Sequence, residues 1–599
     1  MNYDLNKISA EQEKISTLAA LKKLLELIRH EKRALWFALI AILINSGVNL
    51  VGPLLIGHAI DKYVVPRDYH GVLVYSAILL GMYACGLVAS YLQTILMGGV
   101  GQRMLYTLRN AIFNKIQLLP LAFFNQNKTG DLISRVNNDT DKINTFFSQS
   151  LMQFIGNLST MVGAGIFLLC INLKLGLAAV APGAIAWVVT KALSPWVKRK
   201  NAASLKSTGG MSAEIQESLN NFRVIIAFNR RDYFRKRFDS ANEDNYKMSI
   251  KSGIANNIFL PVYSLLAGAA QLIVLAYGIY LIADKEPAVT VMNHKDYGVF
   301  TIGLLIAYLT YANSFYNPLR QLATLWTTFQ TAMAAWDRVS NILALDTDLV
   351  TVKEVTAERS EALLEFRNVH FAYPGGNEIL HDISLKMEPG KTYALVGPTG
   401  GGKTTTASLI ARLYDPTAGT VLLNGKDIRC YEPEERTKKI GFILQEPFLF
   451  TGTVKENILY GNEQYKDYTD NQLADVLKEA NLGELLAIFD QGLETKVLSS
   501  GDSISLGQKQ LIAFMRAVLR NPEILILDEA TANIDTVTEQ LLSEILEKLP
   551  DTTTRVIIAH RLNTIQNADE IYFVNSGEVI AAGSLNHAID MLLHGKRVS

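Results

Sequence analysis

The chain has 599 residues, 49% of them apolar and 19% charged, and a mean hydropathy of +0.15; this composition excludes a disordered chain, and length alone suggests about four domain-sized units. Its 57 basic and 57 acidic residues cancel, but residues 1–340 hold 33 basic and 20 acidic side chains, whereas 341–599 hold 24 and 37. The positive half is also the apolar half, which argues against a basic nucleic-acid binder, so no nucleic-acid partner is expected.

The first thirty residues or so are polar, so no signal peptide is read there. Charge-free windows then follow between Arg33 and Asp61, Asp68 and Arg103, Lys142 and Lys174, Lys251 and Asp284, and Asp296 and Arg320. Each exceeds the ~20 residues that cross a hydrocarbon core of ~30 Å. A sixth window, 175–190, is shorter and extends past Lys191 if that side chain snorkels to the headgroups. The windows predict six transmembrane helices at approximately 34–60, 70–100, 146–172, 175–197, 253–283 and 298–325. Together they form a domain over 1–340, followed by a linker over 341–361. No Asp or Glu lies inside any window, so the proton relays of ion-driven carriers are missing and any transport is powered elsewhere.

Three cysteines, Cys85, Cys170 and Cys430, are too few and too scattered for a disulfide framework or metal knuckle. Cys85 and Cys170 sit in apolar runs and read as small buried hydrophobes. Lys and Arg crowd the segment before the first span and the loops after the second and fourth; the alternate loops carry few. That asymmetry places the N-terminus, both long loops and the second half in the cytoplasm. The long loops repeat apolar residues with helical spacing, as at Met104, Leu105, Leu108, Ile112, Ile116 and Leu119. The membrane helices are therefore expected to continue beyond the bilayer, with short segments at 123–135 and 218–229 capping each hairpin.

From residue 362 strands and helices alternate, predicting an α/β domain over 362–599. A strand at 391–396 runs into Gly397-Pro398-Thr399-Gly400-Gly401-Gly402-Lys403-Thr404, then Thr405 and a helix. This matches the phosphate-loop pattern in its strand–loop–helix setting. Glycines let backbone N–H groups wrap phosphates, Lys403 reaches the β and γ oxygens, and Thr404 can ligate Mg²⁺. A second strand, Ile524-Leu525-Ile526-Leu527, is apolar throughout and ends in Asp528-Glu529. One carboxylate there is placed to hold the metal and the next to polarise a water.

These motifs occur in the order phosphate loop, Gln445, Ile504-Ser505-Leu506-Gly507-Gln508, Asp528-Glu529, Ala532-Asn533-Ile534-Asp535 and His560. The order resembles the nucleotide-binding domain of an ATP-binding cassette (ABC) transporter. The six-span half resembles the membrane domain of an ABC exporter of the half-transporter type. The fold class expected is a six-helix α-helical transmembrane domain followed by an α/β P-loop nucleotide-binding domain. The resemblance implies an ATPase that uses ATP and Mg²⁺, with Tyr373 stacked on adenine and Thr404, Gln445 and Asp528 at the metal. It also implies Glu529 as general base, His560 as the switch at the γ-phosphate and Asp535 at the dimer interface. Ser505, Gly507 and Gln508 would cap the ATP held by another chain's phosphate loop, so the protein must dimerise. The segments around 124–135 and 222–228 resemble the two coupling helices.

Two places depart from the family pattern. Its signature usually reads Leu-Ser-Gly-Gly-Gln, and here Leu506 replaces the first glycine, where a branched side chain crowds the approaching phosphate. Residues 497–501, Val-Leu-Ser-Ser-Gly, also depart. With Lys403, Glu529 and His560 intact, this resembles one half of a heterodimeric exporter; a homodimer that tolerates Leu506 is the alternative. In the sixth window Tyr308, Tyr311 and Phe315, with Asn313 and Asn317 nearby, read either as a cavity face or as helix packing. No Lys or Arg lies deep in the windows, which favours small hydrophobic or amphipathic substrates over anionic headgroups, with lipid or peptide export as alternatives. The expected setting is a bacterial inner or cell membrane. A translation-factor ATPase is excluded by the spans, an importer subunit is disfavoured by the fused ATPase, and an ATP-gated channel or receptor lacks the added regulatory segments it would need.

Overall fold

The computed structural model describes residues 3–5, 7–8, 31–284, 300–347, 349–352, 362–498, 504–528, 536–558, 566–583 and 585–594. The chain divides into two compact units. One comprises Ser9–Lys115 and Gly130–Leu343; the other comprises Met1–Ile8, Ile116–Thr129 and Ala344–Ser599.

The first unit is helical. Among the described residues, five helices are long and apolar enough to cross a membrane: α1 (Lys32–Val64), α2 (Tyr69–Gln117), α4 (Thr129–Ile171), α5 (Leu173–Asn220) and α7 (Arg231–Ala283). A short α6 (Phe222–Ala227) joins the last two, and α8 (Ile302–Leu343) closes the unit. Six spans are expected from the charge-free windows. The sixth window does fall on a long helix, but its tyrosines and asparagines leave α8 less apolar than the other five. At 1.5 Å per residue, the 49 residues of α2 measure roughly 73 Å, more than twice the hydrocarbon thickness. The helical spacing across Met104–Leu119 belongs to this extension and to the turn after it.

Tyrosines of α8 tie the bundle together. The Tyr308 hydroxyl lies between the carbonyls of Leu168 and Asn172 and accepts the Asn172 N–H at 3.1 Å. Tyr311 donates to the Leu50 carbonyl, and Tyr316 to that of Ala179 at 2.8 Å. Each phenol pairs with a backbone oxygen in an apolar setting, so Tyr308 and Tyr311 belong to helix packing and not to a cavity wall. At the opposite end of the charge-free stretch, α1 and α8 cross at a Gly57–Gly303 contact. A Cβ on Gly303 would lie 2.1 Å from the Gly57 carbonyl oxygen, so neither position admits a side chain. Asp61 seals this end, accepting the Gly303 N–H at 2.9 Å and the Thr301 hydroxyl at 2.5 Å. At the far end, Arg338 of α8 faces Asp131 (3.1 Å) and Asp139 (3.0 Å) of α4. Arg135, only 2% exposed, pairs with Asp131 at 2.8 Å and donates to the Arg338 carbonyl. Its charge is thus neutralised inside the bundle.

The cysteines depart from expectation. Cys85 is exposed and Cys170 half-buried, and Cys430 alone of the three is buried. An apolar run in a membrane helix marks a lipid-compatible surface as readily as a protein core, so burial did not follow from composition.

The second unit is α/β. A four-stranded antiparallel sheet has the order β2 (Glu378–Met387), β1 (Leu364–Ala372), β4 (Ala418–Leu423), β5 (Lys426–Asp427). A six-stranded sheet runs β12 (Glu578–Ala581), β11 (Glu570–Asn575), β3 (Thr392–Val396), β10 (Thr554–Ile558), β9 (Ile524–Asp528), β6 (Ile440–Ile443). All its neighbours pair in parallel except β11 with β12. β3 and β9 are buried at every position, as central parallel strands with both faces covered must be. A third sheet pairs β7 (Gly452–Thr453) with β8 (Lys496–Val497). Helix α3 (Leu121–Gln126), although it lies in sequence between α2 and α4, packs within this unit.

Candidate functional site

Register aligns the carboxyl ends of the parallel strands. Ile558 pairs with both Leu395 and Asp528, and Ile443 with Leu527. The loop after β3, Asp528, the end of β10 at Ile558 and Gln445 just beyond β6 therefore share one edge, where ligands bind in open α/β sheets.

After Val396 the chain turns through Gly397, at φ +153°, and passes directly beneath β11. A Cβ on Gly397 would stand 1.9 Å from the Val574 carbonyl oxygen, and one on Gly401 2.5 Å from it. Only glycine lets the loop press this closely on the strand. Pro398, Thr399 and Gly400 form the exposed crest, closed by a Gly401 N–H bond to the Pro398 carbonyl at 3.1 Å. Gly402, at φ +115°, precedes α9 (Lys403–Ile410). Lys403 is 5% exposed and donates to the Gly397 and Pro398 carbonyls at 2.9 and 3.0 Å. The ammonium is thus held inside the loop that would wrap a phosphate. Thr404 Oγ1 stands 3.4 Å from Asp528 Oδ1. This hydroxyl and carboxylate, in sequence 124 residues apart, form an oxygen donor pair suited to a hard divalent cation such as Mg²⁺.

Tyr373 follows the end of β1. Its ring meets Phe371 edge-on at 4.9 Å and Tyr414 at 5.1 Å, and its hydroxyl lies 3.2 Å from Thr405 Oγ1. Tyr414 in turn accepts a 2.7 Å hydrogen bond from Asn125 Nδ2 of α3; burial raises the phenol's pKa, and this bond works against the rise. Tyr414 lies in no motif read from the sequence, whereas Asn125 lies in the segment that resembles the first coupling helix.

Gln445 is exposed at the sheet edge. The stretch after it is pinned from below by Asn457 and Arg516. Asn457 Oδ1 accepts the Phe450 N–H at 2.8 Å, and Arg516 donates to the Asn457 and Phe448 carbonyls at 2.8 and 3.1 Å. Burial lowers the Arg516 pKa. Beside this stretch lies a cavity of about 270 Å³ walled by Leu444, Phe448, Phe450, Tyr460 and Arg516. Sequence spacing did not single out Asn457 or Arg516, because their contacts join segments distant along the chain.

Ser505 caps α10 (Leu506–Val518). Its hydroxyl accepts the Gln508 N–H at 3.1 Å while Gln508 Oε1 accepts the Ser505 N–H at 2.8 Å, a reciprocal capping box. Gln508 Nε2 also reaches the Ile488 carbonyl. Ser505 is exposed, Gly507 is half-exposed, and the Leu506 side chain is 38% exposed at the helix start. The candidate residues Glu529, Asp535 and His560, and the altered stretch at 499–501, lie outside the described residues.

A phosphate-loop ATPase unit on the same chain as a bundle of membrane-crossing helices defines a membrane transport ATPase. Residues 35–319 match the family model described as ABC transporter transmembrane region, and 380–532 match the ABC transporter model. The chain belongs to the ABC transporter family, as an ATPase coupled to transport and a half-transporter of exporter type. It is 32% identical to an uncharacterized ABC transporter ATP-binding protein of Bacillus subtilis, over 96% of this chain and 92% of that one. It is 31% identical to a fatty acid ABC transporter ATP-binding/permease protein of Mycobacterium bovis, over 91% and 81%. A multidrug resistance ABC transporter ATP-binding and permease protein of Lactococcus lactis is 30% identical over 95% and 94%. The ATP-binding domain and integral membrane character follow from the family, whose half-transporters typically dimerise.

Proposed function

We propose that this chain is one half of a dimeric exporter that moves hydrophobic or amphipathic compounds by alternating access, with a different half-transporter as partner. Residues 1–340 form its membrane domain, 341–361 a linker and 362–599 its nucleotide-binding domain. Helices α1, α2, α4, α5, α7 and α8 each cross the bilayer, with the N-terminus and nucleotide-binding domain cytoplasmic. The observation that carries this reading is one chain holding two complementary half-sites: a glycine-built phosphate loop and an exposed helix start at Ser505. A helix start offers unpaired N–H groups and a partial positive charge to a phosphate. ATP sandwiched between the loop of one chain and α10 of the next draws the two nucleotide domains together.

Within each site Lys403 holds the β and γ oxygens, and Tyr373 stacks on adenine with Thr405 steadying it. Bound Mg²⁺ supplies charge neutralisation at the γ-phosphate, and Thr404, Asp528 and Gln445 would hold it. Glu529 takes the proton of the attacking water, and His560 orients the γ-phosphate. Asp535 lies across the dimer interface. Leu506 at an exposed helix start, where close backbone approach is needed, supports the heterodimer. The partner then supplies the good signature for this chain's phosphate loop.

Asn125, Tyr414 and Tyr373 connect α3 to the adenine face in two steps. The exposed apolar residues of α6 (Phe222, Val224, Ile226) and Phe228 just beyond it suit a second joint. Asn125→Leu is expected to leave basal ATP hydrolysis within about twofold while lowering its stimulation by transported compounds several-fold, because one hydrogen bond of ~1 kcal/mol is lost at the joint. An unchanged ratio of stimulated to basal rate would remove Asn125 from the coupling path.

The direct test uses inside-out vesicles bearing the chain and its partner. They should take up an amphipathic dye with Mg-ATP and not with ADP; equal uptake under both conditions refutes the exporter reading. A second reading, export of fatty acids or other lipids, is favoured by the Mycobacterium relative's name.

A further inference from the structure

Residues 3–8 lie well before the first span, in a stretch that reads as polar, yet Tyr3 and Leu5 are both fully buried. They belong to the second unit, together with α3 and the chain after α8. The end of α3 holds them by their backbone. Gln126 Oε1 accepts the Tyr3 N–H at 2.8 Å. Asn127 Oδ1 accepts the Leu5 N–H at 3.2 Å, and Asn127 Nδ2 donates to the Tyr3 carbonyl at 2.8 Å. One carboxamide thus reads the backbone of an extended segment whose alternate side chains are buried, the way a sheet edge takes up a peptide.

Asn127 stands just past α3 with an extended backbone, at φ −124° and ψ 135°. Its Nδ2 also donates to the Phe123 carbonyl at 2.8 Å, an acceptor of the kind a helix end leaves unpaired. Both amide donors are therefore engaged, and the residue is 9% exposed. An aspartate would lose both donors. The neighbouring Asn125 serves the other contact of α3, the bond to Tyr414.

The same segment is fastened to the chain after α8. The Tyr3 hydroxyl donates to the Asp346 carbonyl at 3.2 Å, three residues past the end of α8 at Leu343. Further on, Arg412, 2% exposed, donates to the Val350 carbonyl at 2.9 Å. The Val352 N–H donates to the Arg429 carbonyl at 3.0 Å. Segment 346–352 is thus bonded to Tyr3 at one end and to the α/β fold at the other.

We propose that residues 3–8 are a strap that ties α3 to the chain after α8, and that Tyr3 and Leu5 are positioning residues. They fix α3 so that Asn125 meets Tyr414, whose ring in turn meets Tyr373. This rests on the exporter reading, in which Tyr373 stacks on adenine, and adds to that site a support from outside the motifs. With the strap unseated, the adenine face loses its backing while the residues at the γ-phosphate are untouched. ATP affinity falls and turnover does not.

The test measures steady-state ATPase of the assembled full-length protein in nanodiscs against Mg-ATP. Tyr3→Ala combined with Leu5→Ala should raise KM for ATP about fivefold, the worth of about one hydrogen bond, with kcat within about twofold. Tyr3→Phe, which keeps the buried ring, should raise it no more than about twofold. A synthetic peptide of residues 1–10, at about 1 mM to match the effective concentration that tethering gives, should restore the KM of the double variant. Asn127→Ala should show the same rise in KM, and the peptide should not reverse it. In an Asn125→Leu background the double substitution should add less than about twofold, because it acts through that bond. An unchanged KM overturns the strap, as does a loss confined to kcat. A further fivefold rise in the Asn125→Leu background overturns it too. A raised KM that the peptide leaves unaltered would mean that Tyr3 and Leu5 act through folding alone, and also overturns it. Each of these results leaves the exporter reading standing. No ATP hydrolysis by the assembled native protein defeats that reading and the strap together.

Discussion

Glu529→Gln should lower steady-state ATP turnover about 100- to 1000-fold while leaving ATP binding intact, the usual worth of a positioned general base. Glu529 directly follows Asp528, which closes β9 at the sheet edge and stands 3.4 Å from Thr404. The two carboxylates have separate tasks in the proposed mechanism. Asp528 is committed to the Thr404 hydroxyl and the cation, so it cannot also take the water's proton. The amide of glutamine still accepts a hydrogen bond from water but cannot take its proton. With hydrolysis blocked and binding preserved, the ATP-bound dimer should accumulate. Cross-linking between the two nucleotide domains should then increase with Mg-ATP in the variant. A near-normal steady-state rate would remove Glu529 from the role of base.

Leu506→Gly in the chain purified alone should raise its ATPase rate about tenfold or more if crowding at the α10 start limits hydrolysis, because both sites of a homodimer carry Leu506. Leu506 presents an exposed branched side chain at the first turn of a helix capped by Ser505 and Gln508. A γ-phosphate must approach this turn closely enough to meet its N–H groups, and a side chain there keeps it at a distance. Glycine costs the helix up to ~1 kcal/mol, but the capping box holds the turn in place. The native chain alone should hydrolyse ATP slowly and gain activity only with a partner carrying an unobstructed signature. Full, substrate-stimulated hydrolysis by the native homodimer, with no gain in Leu506→Gly, would end the heterodimer proposal.

The class of this protein was legible in the linear order of its residues. Charge-free windows marked membrane helices because charge in hydrocarbon is costly at any position along a span. The glycines from Gly397 to Gly402, followed by Lys403 and Thr404, marked the phosphate loop because a tight turn around an anion needs those residues consecutively. Both signals are local. Tertiary contacts determined the rest. Periodicity showed that α8 carries tyrosines and amides but could not say which face the bundle would take. The structure buries Tyr308 and Tyr311 against backbone carbonyls and leaves Asn313, Asn317 and Gln321 outside. Likewise, no spacing rule links Asn125 to Tyr414, 289 residues apart, or Arg516 to Asn457. Motifs record chemistry that must be contiguous in the chain. Helix faces and relays between distant segments depend on which surfaces meet, and only folding brings those surfaces together.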